Sequence, residues 1–377
     1  MDSRGLKCRF YFKVSWYMPA ALTSSSPIVR RQTSAESHVG NPRLHEGSDF
    51  AALVTQPISL AELVRSFAHT GYDFDPGKQF AYDNSGYVLL AAIVEKVSVE
   101  PYDAFLQQAF FEPLGMKHTG AEKAETPARQ AARGYAAASG AFRPAAAWNL
   151  DRVKGAGSLT STAGDLFLWN EALFSGKVLA KESLQAAWTV GKVDGDDPTH
   201  PEDTGYGFGW TIDRLGPERE ISHGGELAGF GSYLLRLPDR QVTVIVLLNC
   251  VPQMPGLQQW SLARAIARLA VKAPAETPQP AAMPYPLSSD DAALICGTYD
   301  MGHRMLMTVA REGNRGFFHI NDRPATELTA RSDRRFAAGN GEAEATFVRN
   351  ADGQVTKAIL KQAGDRIDAP RLPSSPH

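Results

Sequence analysis

The sequence predicts an α+β protein: helices, then an antiparallel meander and a closing helix, with a small all-β domain at the C-terminal end. Three observations carry this. Apolar residues recur at helical spacing between Leu60 and Leu173. The period changes to that of strands from Tyr206 to Leu248. Residues 273–287 then hold Pro274, Pro278, Pro280, Pro284 and Pro286, a semi-rigid linker, and short strands with turns follow it. Helices and strands segregated in this way make an α+β layout.

The elements follow in order. Residues 1–38 show neither period; Ser24, Ser25, Ser26, Pro27, Arg30 and Arg31 read as a loose basic leader. Ser59-Leu60-Ala61-Glu62 is a capping box, and Leu60, Leu63, Val64 and Phe67 share one helical face. Asp75-Pro76-Gly77 is a turn. A helix from about Gly86 to Val97 is apolar nearly all round, so burial is expected. A second runs from Pro101, a good first-turn residue, to Phe111. Ser161 or Thr162 caps a third, which carries Leu166, Phe167, Trp169 and Leu173. Tyr206–Trp210, Glu220–Ser222, Ser232–Leu237 and Gln241–Leu248 read as strands, the last two joined at Pro238-Asp239-Arg240. A helix from about Leu257 to Val271 closes this part. From Ala293 to Arg371, turns at Glu312-Gly313-Asn314 and Asp352-Gly353 divide short strands into a barrel or curved sheet.

Composition bounds the function. The chain has 377 residues, 43% hydrophobic and 21% charged, enough for a real core. A net charge of −2 gives no sign of nucleic acid or an anionic membrane as partner. Cys8, Cys250 and Cys296 form neither a zinc spacing nor a disulfide framework. No run reaches the roughly 18–20 apolar residues of a membrane span. Lys13 and Pro19 interrupt the apolar character of the first 22 residues, so these are not read as a signal peptide, and the compartment stays open.

Two motifs carry chemistry. Tyr82-Asp83-Asn84 precedes the buried helix inside Pro76-Gly77-x-x-Phe80-x-Tyr82-x-Asn84-x-Gly86-Tyr87, with Glu112-Pro113-Leu114-Gly115-Met116 downstream. His223-Gly224-Gly225 sits between strand-like runs and is followed by Leu227-Ala228-Gly229-Phe230. Taken alone, the first reads as a capped loop with a packing tyrosine and the second as a strand with a glycine bend. Together, and with Gly155-Ala156-Gly157-Ser158-Leu159 and Ser161–Leu166, they resemble the serine β-lactamase and penicillin-binding protein superfamily, in its class C, DD-peptidase and esterase branch.

The resemblance spans about Asp49 to Val271. It implies a β-lactamase/transpeptidase-like domain over 39–272, without the family's N-terminal part, and a small all-β domain over 288–371. It implies acyl transfer from an ester, peptide or β-lactam amide to a serine, then hydrolysis, without metal or cofactor. Tyr82 would relay protons and Asn84 would hold the acyl side chain. His223 would supply hydrogen bonding and optional positive charge near Tyr82. Gly225 would let a substrate lie against the strand, and the Glu226 amide would donate to the oxyanion. Histidine where many relatives have lysine leans toward an esterase or peptidase.

The nucleophile motif of that family, Ser-x-x-Lys, does not occur: no serine in the chain has a lysine three residues later. The activity expected of this chain is therefore low or nil. Three readings stand: a fragment with a displaced start, a non-catalytic relative that binds a ligand or protein in the same cleft, and a substitute nucleophile. Ser158 has no lysine or histidine at a fixed spacing to activate it. If the front strands are absent, Leu257–Val271 and Gln241–Leu248 lose packing partners, and exposed apolar surface would favour oligomers.

Overall fold

Five strands form the antiparallel sheet on which the candidate site is built. The computed structural model describes residues 12–14, 54–68, 82–121, 132–138, 141–191, 204–227, 229–250, 258–272, 289–301, 306–312, 315–320, 325–332, 334–338, 343–362 and 365–373. The expected turns at Asp75-Pro76-Gly77 and Glu312-Gly313-Asn314 and the linker 273–287 fall wholly or partly outside these residues.

Residues 12–14 depart from the expected leader. Strand β1 (Phe12–Val14) pairs with β5 (Leu159–Ser161), which also pairs with β2 (Gly120–Ala121). Phe12, Lys13 and Val14 are too short a run for the period-two signal to register in the sequence, and pairing with β5 decides their conformation. A separate hairpin joins β3 (Tyr135–Ala138) to β4 (Ala141–Pro144).

Helix α1 (Leu60–Phe67) starts at the expected capping box: Ser59 accepts from the Glu62 amide, and Glu62 accepts from the Ser59 amide at 2.9 Å. Helix α2 runs Asn84–Ser98 and buries Tyr87, Val88, Leu90, Ala91 and Val94. The next helix is split. Helix α3 (Tyr102–Leu106) passes into a π-helical turn, Gln107–Phe111, where the sequence suggested one helix. Thr162 caps α4 (Ala163–Phe174), its hydroxyl accepting from the Asp165 amide at 3.2 Å. Helix α5 covers Lys181–Ala187.

The main sheet comprises β6 (Gly205–Tyr206), β7 (Thr211–Leu215), β8 (Glu218–Leu227), β9 (Phe230–Leu237) and β10 (Val242–Leu248), in the order β10-β9-β8-β7-β6. Side chains alternate between its two faces. Ile212, Ile221 and Leu234 join the core built by the helices α1 to α5. Tyr233, Leu235, Leu237, Val244 and Val246 pack under α6 (Gln259–Ala270) through Ala263 and Ala267. On the outer face of α6, Ile266 and Leu269 are exposed, Leu269 by 79%. Strand β10 is the edge of the sheet among the described residues.

After α7 (Ser289–Ile295) come β11 (Gly297–Asp300), β12 (Leu306–Glu312), β13 (Arg315–Ile320), β14 (Thr326–Ala330), β15 (Arg335–Ala338), β16 (Ala343–Arg349), β17 (Val355–Gln362) and β18 (Asp365–Pro370). They pair consecutively, as an antiparallel meander. A bridge from Tyr299 to Arg371 and a hydrogen bond from the Leu372 amide to the Thr298 carbonyl at 2.8 Å bring the last strand back beside the first. Tyr299, Phe336 and Phe347 fill the interior of this nearly closed barrel.

Candidate functional site

Tyr82 and Asn84 are placed by the residue between them. Asp83 is the N-cap of α2, and its carboxylate accepts from the Ser85 and Gly86 amides at 2.8 and 2.9 Å. These bonds satisfy two of the amides that a helix start leaves without a partner, and a negative charge suits that end of the helix. Tyr82 stands just before the helix, 38% exposed. Asn84 is the first helical residue and is half-buried.

His223 comes from β8, on the same face as Ile221, and is 7% exposed. Strand β9 pairs with β8 along its length, with His223 opposite Leu234 and Gly225 opposite Ser232. On the other side β7 pairs only as far as Ser222, opposite Thr211. Among the described residues, β7 gives 224–227 no strand partner on that edge. Gly225 and Glu226 lie on this open stretch, where a chain or acyl group can approach the backbone. Glu226 is exposed, and its carboxylate accepts from Gln259 Nε2 at 3.1 Å. Gly224 is glycine for a packing reason: a Cβ there would stand 2.9 Å from Tyr233 Cδ2.

The fold brings Tyr82 and His223 together although 141 positions separate them in the sequence. Their ring centroids are 6.2 Å apart with planes tilted by 31°. A third ring, unforeseen in the sequence, completes the group. Tyr206 lies edge-on to Tyr82 at 6.1 Å and to His223 at 5.9 Å. Its hydroxyl is 2.8 Å from His223 Nε2. The sequence marked Tyr206 only as part of a strand. The glycines around it in Gly205-Tyr206-Gly207-Phe208-Gly209 were the available signal of an unusual backbone. Hydrogen bonds from the Gly191 amide to the Tyr206 carbonyl and from the Gly207 amide to the Trp210 carbonyl, at 2.9 and 2.8 Å, hold the segment.

Burial dominates the electrostatics of His223. Loss of hydration disfavours the imidazolium and pushes its pKa down to about 4, and a hydrogen bond with the Gly224 backbone offsets part of that drop. At neutral pH the ring is uncharged, so it gives Tyr82 no positive charge.

Two buried serines near the motifs have other surroundings. Ser222 faces α6, away from His223; its hydroxyl donates to Glu220 Oε1 at 3.0 Å and accepts from Tyr233 at 3.0 Å. Arg264 reaches the same carboxylate at 3.0 Å. Ser158 is 4% exposed, and its Oγ has no hydrogen-bond partner among the described residues, so no base is bonded to it. The described residues contain no cluster of three or more histidine, cysteine or acidic side chains that could hold a metal ion. None of their helices is long and apolar enough to cross a membrane.

Comparison with known proteins agrees with this architecture. Penicillin-binding protein 4* of Bacillus subtilis (strain 168) is 25% identical over 328 residues, covering 83% of this chain and 70% of that protein. Other curated relatives are matched over 34–40% of their own length. Among solved structures, the octameric penicillin-binding protein homologue from Pyrococcus abyssi aligns with a TM-score of 0.54 at 19% identity, covering 96% of this chain and 88% of that one. The D-amino acid amidase from Ochrobactrum anthropi SV3 aligns with a TM-score of 0.51 at 22% identity, covering 69% and 77%. The family described as Beta-lactamase matches residues 34–269, well over half of the sequence, and the chain therefore belongs to the β-lactamase family of serine hydrolases.

Proposed function

We propose that the cleft between Tyr82 and the open edge of β8 binds an acyl compound, an ester, peptide or β-lactam amide, and that this chain does not turn it over through an acyl-enzyme. The observation that supports the binding reading is the convergence of Tyr82, His223 and Tyr206 beside the stretch of β8 past which β7 no longer pairs among the described residues. Asn84 contacts the acyl side chain, Gly225 lets the ligand lie against β8, and the Glu226 amide donates to its carbonyl oxygen. Penicillin-binding proteins and an amidase among the similar proteins are in keeping with such a ligand. The absence of turnover rests on chemistry. A serine hydroxyl is a weak nucleophile without an adjacent base, and no Ser-x-x-Lys is present to provide one. The Tyr206 hydroxyl lies 2.8 Å from His223 Nε2.

The same observations support a second reading, a non-catalytic protein that binds its ligand or a protein partner in this cleft. Covalent labelling tests the absence of acyl-enzyme formation on which both readings depend. Intact-mass spectrometry after treatment with a fluorophosphonate and with a β-lactam is expected to show no adduct. A stoichiometric adduct on any serine would reveal a substitute nucleophile and overturn the proposal.

A further inference from the structure

Gly224 and Tyr233 stand opposite each other in the pairing of β8 with β9. The Tyr233 ring lies over the glycine, where a Cβ would come within 2.9 Å of Cδ2, and its hydroxyl reaches back along β8 to donate to Ser222 at 3.0 Å. Ser222 donates in turn to Glu220 at 3.0 Å, and Arg264 of α6 stands 3.0 Å from the same buried carboxylate. Glu220 itself faces Asp213 across the pairing of β7 with β8. Two carboxylates directly opposite each other repel, the more so where water is excluded. Arg264 offsets this: its guanidinium also lies 3.3 Å from Asp213 and donates to the Arg214 carbonyl, so one side chain of α6 holds both strands. The clamp falls where the strands part. Pairing ends at Thr211 and Ser222, and the open stretch 224–227 follows. Because side chains alternate, Glu220 and Ser222 face α6 while His223 faces the cleft.

We propose that Arg264, Glu220, Ser222 and Tyr233 are positioning residues that act from the far face of the sheet, fixing the fork between β7 and β8 and the height of 224–226, so that the peptide groups of the open stretch are held ready for a ligand. This rests on the cleft reading given above, in which none of the four touches the ligand. Their effect is preorganisation. Two consecutive glycines on a stretch that β7 does not pair have many backbone conformations open to them, and that freedom must be given up on binding. The Tyr233 ring fills the space that Gly224 leaves, its hydroxyl is tied to the last paired residue of β8, and Arg264 keeps the fork from spreading.

The test uses the full chain labelled with 15N in glycine, the Gly225 amide signal identified by its loss in Gly225→Ala, and N-acetylalanine methylamide as the probe. Tyr233→Phe keeps the ring and drops the hydroxyl. Arg264→Gln combined with Glu220→Gln removes the clamp without leaving a buried charge uncompensated. Thr243→Val is the control: it breaks the bonds of Thr243 with Arg236 and Asn170, away from the fork. Urea transitions place all three on one stability scale. Tyr233→Phe is expected to move the Gly225 signal and weaken the probe about fivefold, and the double variant more than about tenfold. Thr243→Val is expected to lose comparable stability with the Gly225 signal in place and the affinity within about twofold. If the double variant does not fold, Tyr233→Phe decides alone. Unchanged affinity in the clamp variants overturns this inference and leaves the cleft reading standing. So does an equal weakening in Thr243→Val, which would make the effect one of stability alone. A probe that leaves the Gly225 signal of the unsubstituted chain unmoved overturns the cleft reading and the inference with it.

Discussion

Lowering the pH should destabilise the α+β part of this protein through His223. The imidazole is buried, with a folded pKa of about 4 against an ordinary 6.5. Between those two values the unfolded chain binds a proton that the folded chain excludes, so stability rises with pH across that window. The contribution is fully present above 6.5 and is lost as the pH falls toward 4. At ~1.4 kcal/mol per pH unit, the displacement is worth about 3 kcal/mol, a large fraction of an ordinary domain's stability. Other groups titrate over the same range, so the measurement needs a reference. His223→Gln keeps a side chain able to accept from Tyr206 and removes the titration. Urea unfolding followed by tryptophan fluorescence reports on the right part of the molecule, because all six tryptophans precede residue 261. Between pH 7.5 and 4.5 the unsubstituted chain is expected to lose about 2–3 kcal/mol more than His223→Gln. Parallel losses in the two proteins would show that His223 is hydrated or already charged, and the reasoning about its burial would fail.

Three further substitutions test the frame around the site, all by the same urea transition at pH 7. Asp83→Ala removes both capping bonds of α2 and should cost about 1–2 kcal/mol, with Asp83→Asn recovering most of it. Gly155→Ala should cost more than about 2 kcal/mol: the backbone has φ +82°, and the added Cβ would stand 2.4 Å from the Tyr87 carbonyl oxygen, which cannot move aside. Unchanged stability would mean that this loop does not pack on α2 as described. Glu220→Gln takes the carboxylate from Arg264 beneath β8 and should cost about 2 kcal/mol, whereas Glu218→Gln, in an ion pair with the exposed Arg240, should change stability by less than about 1 kcal/mol.

The legible parts of this protein were those with a local cause. The Ser59 capping box, the apolar helix following Tyr82-Asp83-Asn84 and the hairpin between β9 and β10 depend on neighbours within a few residues, so the sequence alone determined them. The same holds for the two motifs that led to the family, each a short run of residues. Element limits moved by a residue or two where fraying and caps compete: β10 begins at Val242 and α6 at Gln259. The split of α3 into a π-helical turn, the pairing of residues 12–14 with β5 and the return of β18 beside β11 had no local signal. The site divides in the same way. Residue types announced Tyr82 and His223, but the charge of His223 depends on how much water its surroundings exclude. Its partner Tyr206 lies 17 positions earlier, on a two-residue strand whose place beside β7 brings the hydroxyl to the ring. Only packing could decide these, because burial and a contact between separate strands are properties of the assembled chain and not of any segment within it.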